Sequence, residues 1–447
     1  MSDTAVLADR ATAILGEMKL SGEIYLEENL VFVSTVSGGK VESAETKEQR
    51  GAGIRIYEGG RVGFAHTSDL EPAGIRVAAS AARALAEHAD PEAANQIPNP
   101  VLSALPPPES GDLSLARIET YRKIALARAM EEAARAADPR VTKVRQARYT
   151  DVVGRVELRT TSGLACGASF ARLYGSIEVV AEQGGESQSG WASDYALKFA
   201  GLDPFRIGRE AARRAVAKIG GTRPGTRRAD LVLDPEVTGH LLEAFHPVLA
   251  ADSVLKGKSI LAGRVGQKVG SAAVSLVDDG RFPGGDRTFP FDAEGIPTRR
   301  TSLIEGGVLK GYLHNTYTAL KMGLQSTANA TRSSYMSPPR IGPTTLYLVP
   351  STSPREEVLA QVEEGFYISE VMGLHTVDPI TGEFSLGAAG HGLRRGEILP
   401  PVTGVGIAGS ILEVLAGIAA VGSDLRLLPG GTAGSTTLVR NLSVSGS

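Results

Sequence analysis

Two periodicities alternate along the 447 residues. Apolar and polar positions exchange every second residue over Gly22–Glu28, Leu30–Gly39, Ala52–Glu58 and Arg61–Thr67. This predicts strands, since successive side chains of an extended chain point to opposite faces. Gly59-Gly60 suits the tight turn of a hairpin, where both turn residues take positive φ. A helical period over Leu70 to His88, with Ser68 or Asp69 as cap, and another over Leu113 to Ala137, predict two helices. Between them the proline-rich stretch from Asp90 to Asp112 reads as a surface excursion, because proline fits neither a helix interior nor a central ladder. Three or four alternating strands then run as a meander from Val141 to about Leu197. "DPFRIGREAARRAVAKIG" closes the half as a helix capped by Asp203 and opened by Pro204.

The short basic stretch Gly221–Ala229 carries Gly and Pro and reads as a boundary. It divides an N-terminal α+β domain (1–220) from a β-rich C-terminal domain (230–447). The second half begins with the strand "ADLVLD" and a helix capped by Asp234 and opened by Pro235. From Val265 on, short apolar runs are broken by Gly and Pro. Short helices are expected near Ser353–Gly365 and Ser410–Gly422. Helices and strands do not alternate as parallel units, so the expected class is α+β with antiparallel sheets.

Composition narrows the function little. The formal charge is −3, and the one concentration of positive charge, Arg213 to Arg228, reads as a solvated linker face rather than a polyanion site. Nucleic acid is therefore not an expected partner. No window of 18 apolar residues occurs, and the N-terminus reads as an amphipathic helix rather than a signal peptide, so no membrane association is expected. One cysteine, Cys166, excludes an intramolecular disulfide and fits a cytoplasmic setting. In its alternating run it reads as a small buried side chain rather than a nucleophile.

Three stretches resemble chemistry. Gly404, Gly406 and Gly409 in "TGVGIAGS" match G-x-G-x-x-G. The chain after them is too short for a dinucleotide fold, though, and Asp424 follows no strand, so a tight turn at a helix mouth is expected. Asp278, Asp279, Asp286, Asp292 and Glu294 form an acidic stretch without Ca²⁺-loop spacing, and they read as a solvated turn-rich loop. "GHLLEAFHPVLA" holds His240, Glu243 and His246. On a regular helix His240 and His246 stand about 120° apart and about 9 Å along the axis, whereas zinc needs both nitrogens at about 2.0–2.1 Å. The helix would have to break, and Pro247 could break it.

Longer stretches carry a family likeness. "GKSILAGRVGQKVGS", "FPFDAEGIPTRRTSLIEGGVLKGYLHNTYTALKMGLQSTANATR", "TGEFSLGAAGHGLRRGEILPPVTGVGIAGSILEVL", "GGTAGSTTLVRNLSVSG" and, in the first half, "GAGIRIYEGGRVGFAHTSDL" resemble the TldD/PmbA family, also called modulator-of-gyrase or TldD/TldE peptidases. TldD-like members resemble zinc metallopeptidases with H-E-x-x-x-H on a helix and a cysteine ligand near the C-terminus; PmbA/TldE-like members lack these ligands. Aligned through Glu243, Leu242 and Pro247 fall where the histidines stand, and Ala433 falls where the cysteine stands. The resemblance implies a PmbA/TldE-like subunit with no catalytic, cofactor or metal residue of its own, Glu243 matching the motif glutamate only. Zinc is expected in a TldD-like partner, and the substrate is expected to be an unfolded or extended peptide. The assembly is expected to be a heterodimer with that partner or a homodimer. An active enzyme built on His240, Glu243 and His246, and a peptide-binding regulator without a peptidase partner, stay open as alternatives. The run Leu313–Arg332 is a candidate groove segment.

Overall fold

The computed structural model describes residues 4–100 and 106–446. Helix α1 (Thr4–Glu17) leads into three strands, β1 (Gly22–Ser37), β2 (Lys40–Glu58) and β3 (Arg61–Thr67), and then helix α2 (Pro72–Glu87). After a 3₁₀ turn at Leu113–Arg117 come helix α3 (Thr120–Ala137), strands β4 (Val141–Thr160), β5 (Ala165–Gln183) and β6 (Glu186–Ala196), and helix α4 (Pro204–Val216). All six strands form one antiparallel sheet in the order β3-β2-β1-β4-β5-β6. Helices α1 and α2 bury one end of it around Ile24, Ile54 and Ile75, and α3 and α4 bury the other around Met130, Tyr149 and Leu173.

Several expectations are adjusted. The two strands read at Gly22–Gly39 are one continuous strand, and β2 begins at Lys40, twelve residues before its apolar part. Its first stretch is exposed on both faces and pairs only with β1, so hydrophobic alternation had nothing to report there. Neither Ser68 nor Asp69 caps α2: Glu71 occupies that position, and the Asp69 carboxylate accepts the Glu71 N–H at 3.0 Å. The helix expected over Leu113–Ala137 is split after Arg117. Asp203 does cap α4, accepting the Arg206 N–H at 3.0 Å ahead of Pro204. Residues 101–105 of the proline-rich stretch lie outside the described residues.

The second half opens with β7 (Arg227–Leu233), α5 (Pro235–Phe245), a 3₁₀ turn at His246–Leu249 and α6 (Ala251–Leu255). There follow β8 (Leu276–Asp279), β9 (Arg300–Glu305), β10 (Val308–Leu309), α7 (Thr316–Lys321), β11 (Ala330–Thr331), β12 (Arg340–Ile341), β13 (Leu346–Leu348) and α8 (Arg355–Ala360). The chain ends with β14 (Gly365–Met372), β15 (Glu383–Arg394), β16 (Glu397–Ser410), α9 (Ile411–Gly417), β17 (Ile418–Val421), β18 (Arg426–Leu428), β19 (Thr432–Gly434) and β20 (Thr437–Gly446).

One sheet runs β10-β9-β8-β13-β19-β18 and another β16-β15-β14-β7-β20-β17. β16 also pairs with β20, which closes β16, β15, β14, β7 and β20 into a barrel. The class is α+β, but the expected antiparallel sheets are interrupted by two parallel pairings, β7 with β14 and β13 with β19. Barrel and sheet share one core that includes Leu231, Leu241, Leu303, Leu313 and Val439.

The glycine motif lies inside β16, where Gly406 pairs with Ser445 and Gly387, rather than in a turn at a helix mouth. The helix mouth is made by Ser410 and Glu413: the Ser410 hydroxyl accepts the Glu413 N–H and the Glu413 carboxylate accepts the Ser410 N–H, both at the start of α9. Asp424 is taken by the Thr436 N–H and hydroxyl, at 2.9 and 2.7 Å.

Candidate functional site

Helix α5 starts as its sequence dictates. The Asp234 carboxylate accepts the Glu236 N–H at 3.0 Å and Pro235 supplies the preset first turn. It stops at Phe245, and Pro247 continues the chain as a 3₁₀ turn. Val237, Leu241, Leu242 and Phe245 turn into the core. The other contact is with β19, at backbone distance. A Cβ built on Gly434 would overlap the Pro235 carbonyl and lie 2.6 Å from the Gly239 amide. That approach brings Ala433, which is 0% exposed, to the strand beneath the helix. Leu242 is 6% exposed and Pro247 half-buried. All three positions present hydrocarbon, Leu242 and Ala433 to a packed interior.

The polar residues of the helix diverge. Glu243 is exposed, with a carboxylate oxygen beside Gly430. His240 lies on the side of Glu236, which is buried and ion-paired to Arg214 at 2.6 Å. His246 points elsewhere: its Nδ1–H donates to the Glu243 carbonyl at 2.6 Å and its ring lines a cleft. Burial, aided by the nearby Arg287 guanidinium, holds the imidazole below its ordinary range. Among the described residues no group of three or more His, Cys, Asp or Glu has the geometry to hold a metal. Arg214, 10% exposed, bridges Glu210 and Glu236, so this end of the basic run is an internal ion cluster rather than a solvated face.

The cleft that His246 borders measures about 770 Å³ and lies between the first-half sheet and the second half. Tyr25 and Val156 form one wall; Arg287, Phe289 and Arg332 form the other. These five residues also line an adjoining hollow of about 480 Å³ that reaches Gly430. The run Leu313–Arg332 contributes only its end, Ala330 to Arg332, to this cleft.

A buried ion cluster supports the cleft. Arg55 donates to Glu23 through Nε and Nη2 at 2.7 and 2.6 Å, and through Nη1 to Glu294 at 3.1 Å. Arg332 pairs with the Glu23 Oε1 that the Arg55 Nε also reaches, and stacks 4.5 Å over the Tyr25 ring. Burial alone would raise the Glu23 carboxyl, but the two guanidinium groups outweigh it and hold the group below the usual range. Beside it, burial and the neighbouring Glu294 push Asp292 up to about 8, although it accepts N–H groups from Glu294, Ile296 and Ala330.

The acidic stretch is thus not the solvated loop expected of it. Asp278, Asp286, Asp292 and Glu294 are all buried. Asp278 accepts the Asn329 amide at 2.7 Å and the Thr344 N–H at 2.8 Å. Asp286 accepts the Tyr174 hydroxyl at 2.8 Å and the Gly430 N–H at 2.7 Å. Asp279 is half-buried and accepts the local Arg281 N–H at 2.9 Å. The partners of Asp278 and Asp286, and the Arg55 that meets Glu294, lie 51 to 239 residues away, so local sequence carried no sign of them. Cys166 packs beside Leu158 and Leu164, and burial pushes its thiol up to about 12, as suits an inert side chain.

Three family models match successive segments of the chain. Residues 22–86 match the PmbA/TldA metallopeptidase domain 1, residues 114–219 its central domain and residues 226–446 its C-terminal domain. The metalloprotease PmbA of Escherichia coli O157:H7 is 28% identical over 83% of this chain and 81% of its own. A metalloprotease TldD homolog of Haemophilus influenzae is 30% identical over 65% of this chain and 62% of its own. A candidate modulator of a DNA gyrase from Thermotoga maritima, of known crystal structure, superposes with a TM-score of 0.88 at 28% identity, covering 98% of this chain and 99% of that one.

Proposed function

The chain belongs to the PmbA/TldD metallopeptidase family, and on that premise we propose that it is the PmbA/TldE-like, non-catalytic subunit of a cytoplasmic zinc metallopeptidase. A TldD-like partner would carry the zinc. This chain would complete the groove for an unfolded or extended peptide.

One observation carries the reading: the positions that hold metal in TldD-like members are Leu242, Pro247 and Ala433, all hydrocarbon, with Leu242 and Ala433 packed in the interior. Zinc is bound by nitrogen, sulfur or oxygen donors, and these side chains have none. The ion does not fit this chain. Glu243 then has no metal-bound water to act on.

The cleft between the halves is the natural peptide site. Its mixed wall of aromatic rings and guanidinium groups suits main-chain carbonyls and varied side chains alike. The cytoplasmic setting rests on the single cysteine and fits the finding that no described helix is long and apolar enough to cross a membrane.

The test is reconstitution. Cleavage of an unfolded peptide is measured with this chain, with a partner bearing H-E-x-x-x-H and a C-terminal cysteine, and with both. Full activity in the mixture alone supports the reading. Cleavage by the isolated chain refutes it.

A further inference from the structure

Another hollow, of about 640 Å³, lies where helix α4 meets the second half, and it shares no lining residue with the cleft or the space adjoining it. Arg206, Arg209 and Arg213 line it from one face of α4, three and four residues apart. Arg355 at the start of α8 and Arg426 on β18 line it from the second half. A run of arginines on a helix is ordinarily a solvated face. A solvated face gives no reason for two further arginines, from elements far along the chain, to meet it across a hollow.

The hollow holds more positive charge than its carboxylates neutralise. Arg213 is taken by Glu210 through two nitrogens, at 2.8 and 2.7 Å. Arg206 pairs with Asp194. Arg426 reaches one oxygen of Glu236 at 3.2 Å, while Arg214 spans both at 2.8 and 2.6 Å. Asp234 is engaged by the Glu236 N–H at 3.0 Å and by the Tyr367 hydroxyl. Arg209 has no carboxylate partner among the described residues, and Arg355 has only the Tyr367 ring, 4.8 Å away. Partial burial and repulsion from Arg426 hold the Arg206 guanidinium below its ordinary range. Like charges that face one another across a gap cost energy until an anion enters.

We propose that this hollow binds a phosphate dianion, free or carried as the monoester of a small molecule. Six arginines (206, 209, 213, 214, 355 and 426) stand against four carboxylates (Asp194, Glu210, Asp234 and Glu236), an excess of two positive charges. A phosphate monoester carries about −1.5 to −2 at pH 7 and matches that excess. The donors approach from α4 on one side and from α8 and β18 on the other. A tetrahedral group offers oxygens in both directions, whereas a planar carboxylate fills a single guanidinium fork. Arg209 and Arg355, whose N–H groups are uncommitted, make the direct contacts, and Arg206 and Arg426 add to the field. The volume falls within the range of about 300–1,000 Å³ usual for small-molecule sites, and Pro235 and the exposed Ile398 offer apolar surface to the rest of the ligand. The site holds whether or not the cleft binds peptide.

Isothermal titration calorimetry on the full chain tests this, with ribose 5-phosphate, inorganic phosphate and succinate as probes. Ribose 5-phosphate is expected to bind one-to-one, and inorganic phosphate to compete with it. Tighter binding of the ester assigns the site to phosphate monoesters, and equal affinity assigns it to free phosphate; both support the anion site. Arg209→Ala and Arg355→Ala are each expected to weaken binding about tenfold or more, the effect of losing a charge-assisted hydrogen bond. Neither arginine is ion-paired, so melting temperatures are expected to stay unchanged. Arg83→Ala, which removes a positive charge from the surface of α2, is expected to leave the affinity unchanged. No binding of either phosphate probe, succinate bound as tightly as phosphate, affinity unchanged in either of the two hollow variants, or an equal loss in Arg83→Ala would each overturn the proposal.

Discussion

Arg332 and Glu23 lie 309 residues apart in the chain and form a buried ion pair, with the guanidinium stacked over Tyr25. The pair fastens the second half to the first strand of the sheet, and the cleft opens beside it. Arg55 completes the cluster by reaching both Glu23 and Glu294.

Breaking this cluster on one side leaves an uncompensated buried charge. Glu23→Gln and Arg332→Ala are each expected to lower unfolding free energy by about 3–5 kcal/mol. Urea denaturation at neutral pH measures it. A double variant that loses less than the sum of the singles would show that the two residues act as a pair.

Gly434 should be the least replaceable glycine under α5. A methyl group there meets the Pro235 carbonyl, which is backbone and cannot step aside. Gly434→Ala is therefore expected to cost about 1–3 kcal/mol through overpacking. A Cβ on Gly239 would overlap the Leu428 Cδ1, which must shift, but its backbone neighbour, the Gly434 nitrogen, is at an ordinary 3.5 Å; with helix propensity gaining about 1 kcal/mol, Gly239→Ala should cost less than Gly434→Ala. Comparing melting temperatures of the two variants separates a backbone contact from a side-chain one.

Arg172 is stitched by hydrogen bonds to the carbonyls of Asp286 (2.6 Å), Thr288 (3.0 Å) and Ala171 (2.7 Å). Lysine has a single nitrogen and cannot reach all of them. Arg172→Lys is expected to cost about 1–3 kcal/mol for the carbonyls left unpaired and to expose the 282–290 segment to proteolysis. Limited trypsin digestion followed by mass spectrometry locates the first cut.

His246 is held neutral by burial, with its folded pKa below the ordinary value of 6.5. The unfolded chain therefore takes up a proton before the folded one, and stability is lost as pH falls through 6.5 toward the folded value. His246→Gln is expected to remove that part of the acid-side decline. Urea denaturation of both proteins from about pH 5 to about pH 8 gives the difference curve, and NMR titration of the imidazole gives the folded value.

Metal content provides an independent check on the helix. The isolated chain is expected to purify without stoichiometric zinc, and His240→Ala to leave its metal content unchanged. Elemental analysis by plasma mass spectrometry measures both. Zinc bound one-to-one and lost in His240→Ala would restore the reading in which His240, Glu243 and His246 act together.

Much of the local structure was legible in the residues. Asp203-Pro204 and Asp234-Pro235 announced helix starts because a cap and a preset φ act within one turn. The break after Phe245 followed from Pro247, and the hydrocarbon at 242, 247 and 433 needed only residue identity. Alternation revealed the apolar part of β2 and missed its exposed part, since a strand bare on both faces has no period.

The sequence by itself therefore determined where helices begin, which strands have a buried face and which side chains lack donor atoms, because these depend on interactions within a few residues. Only the tertiary structure decided that Asp278, Asp286, Asp292 and Glu294 are buried, that His240 and His246 face different neighbourhoods, and that a cleft lies between the halves. A carboxylate is kept out of water only when a guanidinium or amide from elsewhere in the chain meets it, and that encounter is set by folding rather than by spacing.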